Sequence, residues 1–321
     1  MELSIIIINY NTFELTCQCI DSIYKETKGV TFEIILVDNA SKECDPKLFS
    51  DKYPDIKLIE NKVNQGFGRA NNKGMELAKG NFFLLLNSDT IIINNVVNKG
   101  VHYLNQDKKN GVYSCHQIND ISSIKEPEYS FFFKDFSLFY LLKNIPFIQI
   151  IYSKYLNKSS KQFSKGINKV NNVSGAFMLL KHEVFEKTKG FDPDFFLYSE
   201  ETEWCTLRIN KKWNILFSTE EKFIHLEGKS GVKDFTLNQD FLSTAFTWYK
   251  KGYFEYFSFL FIHIFLYYPS WLILFFVVKS ENKKRTLRLI KIFNNCFKQL
   301  IFDIPKYKNN YGARKNFLRY K

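Results

Sequence analysis

The feature that most constrains the fold is a succession of apolar, strand-length runs separated by helix-length segments in the first ninety residues. Leu3–Ile8 is aliphatic throughout except for Ser4. Such a run suits a strand covered on both faces, because a half-exposed strand alternates apolar with polar residues. Thr12 stands where an N-cap is needed, ahead of a helix with Leu15, Cys19, Ile20 and Ile23 on one face. Glu33–Val37, Ile56–Ile59 and Phe82–Leu86 read as three further strands, and Gly68–Lys79 as a helix closed by Gly80. This β-α-β rhythm predicts an α/β fold: a Rossmann-like, mostly parallel mixed sheet flanked by helices. Ligands then bind just past the carboxyl ends of the strands.

Polar clusters occur at those ends. Val37-Asp38-Asn39-Ala40-Ser41 closes the second strand. Asp38 there can accept hydrogen bonds from a nucleobase or ribose, or serve as an ordinary turn residue. Asn87-Ser88-Asp89 closes the fourth. A carboxylate at that place can hold a hard divalent cation, whose remaining ligands are phosphate oxygens and water, or can form an Asx turn. Glu200-Glu201-Thr202-Glu203 opens a helix, where acids favour the dipole. Three neighbouring acids repel one another, and burying one suits it to proton abstraction. Asn64–Gly74 contains Gly66-x-Gly68, but Asn71 stands where a dinucleotide fingerprint needs its third glycine. That excludes a nicotinamide-dependent dehydrogenase. No Walker motif and no G-x-S-x-G elbow is present.

From Val173 the rhythm returns, with a strand at Ala176–Leu180, a helix from His182, a loop at Gly190–Tyr198, a helix from about Glu200, a strand at Trp213–Phe217 and a helix near Asp234–Lys250. Taken in order, Ser4–Thr12 (SIIIINYNT), Val37–Ser41 (VDNAS), Asn64–Gly74 (NQGFGRANNKG), Leu85–Thr90 (LLNSDT), Ser174–Phe177 (SGAF), Gly190–Arg208 (GFDPDFFLYSEETEWCTLR) and His225–Ser230 (HLEGKS) resemble family 2 glycosyltransferases of the GT-A fold, in their rhamnosyltransferase-like branch.

The resemblance implies roles. Asp38 looks like the acid that contacts base or ribose, with Asn9, Tyr10, Asn11 and Asn39 around it. Asn64, Gly66, Arg69, Asn71, Asn87, Ser88 and Gly175 fall in the family's nucleotide-sugar-binding segments. Asp89 resembles the metal-binding acid, here in an Asn-x-Asp version of the family's Asp-x-Asp, and His225 the late histidine near metal or diphosphate; Mg2+ or Mn2+ is the implied cofactor. Glu201 occupies the position of the catalytic Asp, with Glu200 in reserve, and Arg208 is placed to brace the acid helix. The implied reaction is inverting transfer of one sugar from a nucleotide-sugar. A dTDP-rhamnose donor is favoured, and a UDP-sugar is the alternative. The Gln-x-x-Arg-Trp motif of the processive synthases is absent. The departures at Asn87 and Glu201 also admit a non-catalytic GT-A-fold membrane scaffold or a nucleotide-sugar-binding module.

Residues 1–250 are therefore read as a glycosyltransferase domain, with 116–172 as a variable insertion on the acceptor or membrane side and 251–321 as an aromatic, basic, helical, membrane-associating extension. Phe257–Val278 carries no formal charge and is long enough to cross a bilayer. The net charge of +12 is concentrated: thirteen Lys and Arg face two acids from Lys279 to Lys321. A single crossing would put that tail outside, against the positive-inside tendency, so an in-plane or re-entrant hairpin bent at Pro269 is the alternative. The aromatic segment 131–156, the apolar run and the tail point to an anionic membrane surface rather than nucleic acid. Together with a polyprenyl-diphosphate-linked saccharide as acceptor, these features imply bacterial surface-polysaccharide synthesis at the cytoplasmic face of the inner membrane. Six cysteines without C-x-x-C spacing, and an opening without leader-like composition, fit reduced thiols in the cytosol.

Overall fold

A computed structural model describes residues 1–119, 163–226, 233–278 and 280–304, with 141, 142, 145, 146 and 148. Most of the aromatic segment 131–156, residues 227–230 of the His225–Ser230 motif, and the tail from 305 lie outside the described residues. The chain divides into two compact units. The first holds 1–119, 163–196 and 200–226 of the described residues; the second holds the others, including 197–199.

The first unit is a nine-stranded sheet. Its strands are β1 (Leu3–Asn9), β2 (Phe32–Asp38), β3 (Lys57–Glu60), β4 (Phe82–Asn87), β5 (Thr90–Ile92), β6 (Asn110–Ile118), β7 (Ile167–Val170), β8 (Phe177–Lys181) and β9 (Asn214–His225). They lie in the order β3-β2-β1-β4-β8-β6-β9-β5, with β7 on β9. The helices are α1 (Phe13–Glu26), α2 (Lys47–Lys52), α3 (Phe67–Leu77), α4 (Val96–Asn105), α5 (His182–Thr188) and α6 (Glu200–Glu203). The sheet is covered on both faces. Ile5 and Ile7 join α1 and α4 in one core, while the intervening Ile6 joins Met75, Phe191 and Trp204 in the other. All three isoleucines are fully buried, which stabilises the fold by roughly 1.5–3 kcal/mol each.

The sheet is mixed, as expected, and it is purely parallel on one side only. β3, β2, β1 and β4 are parallel to one another. Beyond β4 the sheet is mixed: β8 is antiparallel to both β4 and β6, and β9 runs parallel to β6 but antiparallel to β5 and β7. Parallel pairing needs a crossover helix from strand to strand, and only the first half of the chain supplies one each time. Gly80 also differs from its expected role. Helix α3 ends through Ala78 in extended backbone, and Gly80 instead lets the chain pass Ser4, where an added Cβ would meet the Ser4 nitrogen at 2.5 Å.

The chain runs from β1 outward to β2 and β3, then returns to β4 on the other side of β1. That reversal opens a crevice at the carboxyl ends of β1 and β4. Asn9 pairs in register with Asp38, and Ile8 with Asn87, so the polar clusters of three strands share one edge.

The second unit contains α7 (Lys233–Lys251), α8 (Tyr253–Ile262), α9 (Tyr268–Val277) and α10 (Ser280–Phe302). Helix α7, read from the sequence as the end of the first domain, thus groups with the C-terminal helices. Ser243 of α7 donates to the Leu197 carbonyl at 2.7 Å, and Cys296 of α10 lies 3.7 Å from the Asn238 carbonyl. No hairpin forms at Pro269. A π-turn, His263–Tyr267, joins α8 to α9 within one helical run. Widening the turn just ahead of the proline accommodates its missing N–H, and one residue later the Ser270 hydroxyl donates to the Leu266 carbonyl at 2.5 Å.

Candidate active site

The β1 and β2 ends form a clamp of short polar side chains. The Asn9 amide donates to Asp38 Oδ1 at 2.8 Å and Ser41 Oγ at 3.0 Å. Its oxygen accepts from Thr12 and Thr16, both at 3.0 Å. Thr12 stands at the N-cap of α1 but turns its hydroxyl to Asn9 and to Ser88, 3.0 Å away. Glu43 takes its place by accepting from the Phe13 N–H at 3.0 Å. Asp38 is buried, and its second oxygen accepts the Ser41 N–H at 3.0 Å. Asn11 and Ala40, at the tips of these turns, carry positive φ of 54° and 65°. Strain of this kind persists only where its surroundings enforce it. The Asn11 oxygen accepts the Lys42 N–H at 2.7 Å.

Asn39 joins the end of β2 to the loop at 61–66. Its amide donates to Asn64 Oδ1 at 3.0 Å and to the Gly66 carbonyl at 3.2 Å. It accepts from the Gln65 N–H at 2.9 Å and from Asn61 at 3.1 Å. An amide side chain has two donor hydrogens and two acceptor lone pairs. The Asn9 and Asn39 side chains spend all four on the protein, so they fix the walls of the crevice. Asn71 likewise turns back on its own helix, to the Phe67 carbonyl at 3.0 Å. Asn64 caps its own loop at the Gly66 N–H, 2.8 Å away.

The Gly66 and Gly175 positions exist for close approach. Gly66 has φ +83°, and an added Cβ would sit 2.1 Å from the Phe196 carbonyl, which accepts the Phe67 N–H at 2.9 Å. At Gly175 an added Cβ would press on the Phe67 ring at 3.0 Å. Arg69 reaches from α3 to the Pro193 carbonyl. Asn72, which sequence reasoning passed over, exchanges two hydrogen bonds with the Phe191 backbone, at 2.8 and 2.9 Å. These contacts lock the Gly190–Phe196 loop onto α3.

At the β4 end, Asp89 and His225 meet: His225 Nε2 lies 3.0 Å from Asp89 Oδ1 and 3.3 Å from the Asn87 amide. The two side chains are 12% and 13% exposed. Strand β5 makes this contact, because Thr90 pairs with His225 and the Leu226 N–H donates to the Asp89 carbonyl at 2.9 Å. Sequence reasoning found neither β5 nor the second half of β9. Among the described residues no group of three His, Cys, Asp or Glu gathers as a metal cage. One hard carboxylate with one imidazole nevertheless fits Mn2+ or Mg2+ that takes its other ligands from diphosphate and water.

The acid helix reaches the same edge. Glu201 precedes Cys205 by one turn, and the Cys205 thiol bonds to the Val173 backbone; burial pushes that thiol up to about 12 despite the bond. Val173–Ala176 leads into β8, where the Ala176 carbonyl accepts the Asn87 N–H at 3.1 Å. Glu200 is buried beside Gly68 of α3, whereas Glu201 is partly exposed. Glu203 is held in a bidentate pair by Arg208, at 2.6 Å from Nη2 and 3.0 Å from Nε. The same guanidinium caps the carbonyls of Thr188 and Gly190 at 2.8 and 2.6 Å. The helix tip is thereby tied to the end of α5.

The model of glycosyl transferase family 2 matches residues 4–189, more than half of the chain. The chain belongs to glycosyltransferase family 2. The family 2 chain is 34% identical over 97 residues to a poly(ribitol-phosphate) beta-glucosyltransferase of Bacillus spizizenii, covering 29% of this chain and 15% of that protein. It is 26% identical over 229 residues to a low-salt glycan biosynthesis hexosyltransferase of Haloferax volcanii, covering 67% of this chain and 64% of that protein. The chain thus spans less than two thirds of these relatives' own length. Among solved structures, a mannosyltransferase of Pyrobaculum calidifontis in complex with GDP-Man and Mn2+ superposes with TM-score 0.57 at 14% identity, over 100% of this chain and 88% of that one. S. aureus TarS 1-349 in complex with UDP does so with TM-score 0.52 at 16% identity, over 98% and 92%. At these identities the shared property is the fold.

Proposed function

We propose that this family 2 chain is an inverting, non-processive glycosyltransferase that moves one sugar from a nucleoside-diphosphate donor to a lipid-linked saccharide at a membrane surface. The observation that carries the reading is the meeting of Asp89 and His225, 3.0 Å apart, on the sheet edge that also holds Asp38 and the Glu201 helix tip.

The nucleoside would lie along the β1–β2 end, against Asp38 and the backbone of Tyr10 and Asn11. Ser88 and the backbone at Gly175 border the sugar. Asp89 and His225 would hold Mg2+ or Mn2+, which offsets charge on the departing diphosphate. Glu201 is the general base: its carboxylate takes the proton of the acceptor hydroxyl as that oxygen bonds to the anomeric carbon. The bond from that carbon to the diphosphate breaks on the opposite face, so configuration inverts and the nucleoside diphosphate leaves. The partial exposure of Glu201 favours it over buried Glu200 as the group an acceptor can reach.

The reading is supported by family membership and by the nucleotide-bound structures that share the fold. Rhamnose on dTDP heads the donors to test, followed by UDP-hexoses and GDP-Man. Purified protein is expected to release nucleoside diphosphate from one of them in the presence of Mg2+ or Mn2+. Full turnover in excess chelator sinks the metal role, and no release from any donor sinks the transferase reading.

A further inference from the structure

The second unit exposes an apolar face. Phe254, Phe257, Phe261, Phe265 and Phe276 are 76%, 68%, 59%, 60% and 79% exposed. The first four are spaced three, four and four apart, which keeps them along one side of a helix. Tyr256, Phe259, Ile262, His263 and Tyr267, interleaved with them, are buried within the unit. His263 lies among the rings of Phe241, Phe259 and Tyr267. The helical run Tyr253–Val277 is therefore one-sided: packed on one side and bare phenylalanine on the other.

Helix α10 lies antiparallel beside it. Lys283 approaches the Phe275 ring at 5.8 Å, Phe293 stacks on Tyr268 at 4.8 Å, and the Tyr256 hydroxyl donates to the Leu300 carbonyl. This register sets Arg288 and Lys291, between Lys283 and Phe293, level with the interior of the apolar run. Lys283, Lys284, Arg285, Arg288, Lys291 and Lys298 are all exposed on α10.

We infer that this unit docks in the plane of an anionic bilayer, with the phenylalanine face among the headgroups and acyl chains and the basic residues of α10 paired to lipid phosphates, and that the run does not cross the membrane. Crossing would carry α10 with it and place Arg288 and Lys291 at hydrocarbon depth, where ionised side chains are costly. Lying in the interface buries the same phenylalanines and keeps every basic residue at the headgroups, the arrangement of amphipathic interfacial helices. Anionic lipid is the occupant that matches both apolar stripe and positive charge. The inference sharpens the membrane-held acceptor proposed above, but its test does not depend on that reaction.

The test is flotation of the full chain with vesicles of phosphatidylcholine plus phosphatidylglycerol, against phosphatidylcholine alone. The protein is expected to float with the anionic vesicles, to be released by high salt or alkaline carbonate, and to lose at least about tenfold of its binding in Phe261→Glu/Phe265→Glu. Lys283→Glu/Lys284→Glu is expected to abolish the preference for anionic lipid. Circular dichroism unchanged from the parent certifies folding of each variant. Carbonate-resistant flotation with both vesicle types overturns the inference in favour of a crossing helix. Failure to float also overturns it, and failure accompanied by monomerisation of Phe261→Glu/Phe265→Glu assigns the face to a second copy of the chain. Nucleoside-diphosphate release measured on the same samples separates the two readings: a floating but inert protein counts against sugar transfer alone, and an active protein that ignores vesicles counts against docking alone.

Discussion

The β1–β2 end of the crevice and the β4–β9 end are built from similar short polar side chains, yet hold them differently. At the first, Asn9 and Asn39 have every hydrogen-bonding position occupied by protein, and Asp38 is tied to Asn9 and Ser41. At the second, Asp89 lies 3.0 Å from His225, which lies 3.3 Å from the Asn87 amide, and both Asp89 and His225 reach solvent. The difference separates support from chemistry. A saturated, buried amide fixes the shape of a wall, whereas a carboxylate at the surface of the crevice remains available to a ligand.

Substitution can break that distinction. The largest effect is expected at the chemical end: Glu201→Gln and Asp89→Ala each lower turnover at least about 100-fold with little change in melting temperature. Near-normal turnover in Glu201→Gln, with Glu200→Gln inert, moves the base by one residue. Next comes the brace. Arg208→Ala removes the bidentate ion pair of the buried Glu203 carboxylate and is expected to cost about 3 kcal/mol in chemical denaturation, a loss that Arg208→Lys recovers only in part because lysine cannot form the bidentate pair.

The smallest effect is at Glu33, at the amino end of β2 and away from the crevice. Burial raises its proton affinity, but hydrogen bonds from Lys57, Ser4 and the Lys79 N–H outweigh this and hold it below the usual 4.5. Its stabilisation is therefore present above pH 4.5 and fades as pH falls through the folded pKa. Glu33→Gln is expected to lower the melting temperature by about 2 °C at neutral pH, and the gap to the parent should close in acid. A gap that widens in acid reverses the assigned sign.

Sequence carried much of this, unevenly. Leu3–Ile8 and Phe82–Leu86 were legible because a strand buried on both faces has a local signature. β5 was not: Thr90–Ile92 is three residues long, and only its partner makes it a strand. The second half of β9 passes through Glu220, Glu221 and Lys222, whose polarity hides a strand held by pairing. Antiparallel β8 leaves no local mark, since direction is decided by where the preceding segment delivers the chain. The partners of Asn39 were hidden for a related reason: an amide in a polar turn carries no local sign of bonds to a loop twenty-odd residues away. Asp89 is marked in the sequence by its place at a strand end and His225 only by resemblance, and their contact is visible only in three dimensions.

That contact has a consequence for biosynthesis. Residue 89 leaves the ribosome well before residue 225, and Thr90 has no strand partner among the described residues until β9 arrives. Closure of so long a loop is slow relative to the local pairings of β1, β2 and β4. A nascent chain should therefore own its nucleoside-side wall while its phosphate-side pair is still apart. The cell would be spared a half-made catalyst that consumes activated sugar before the molecule is whole.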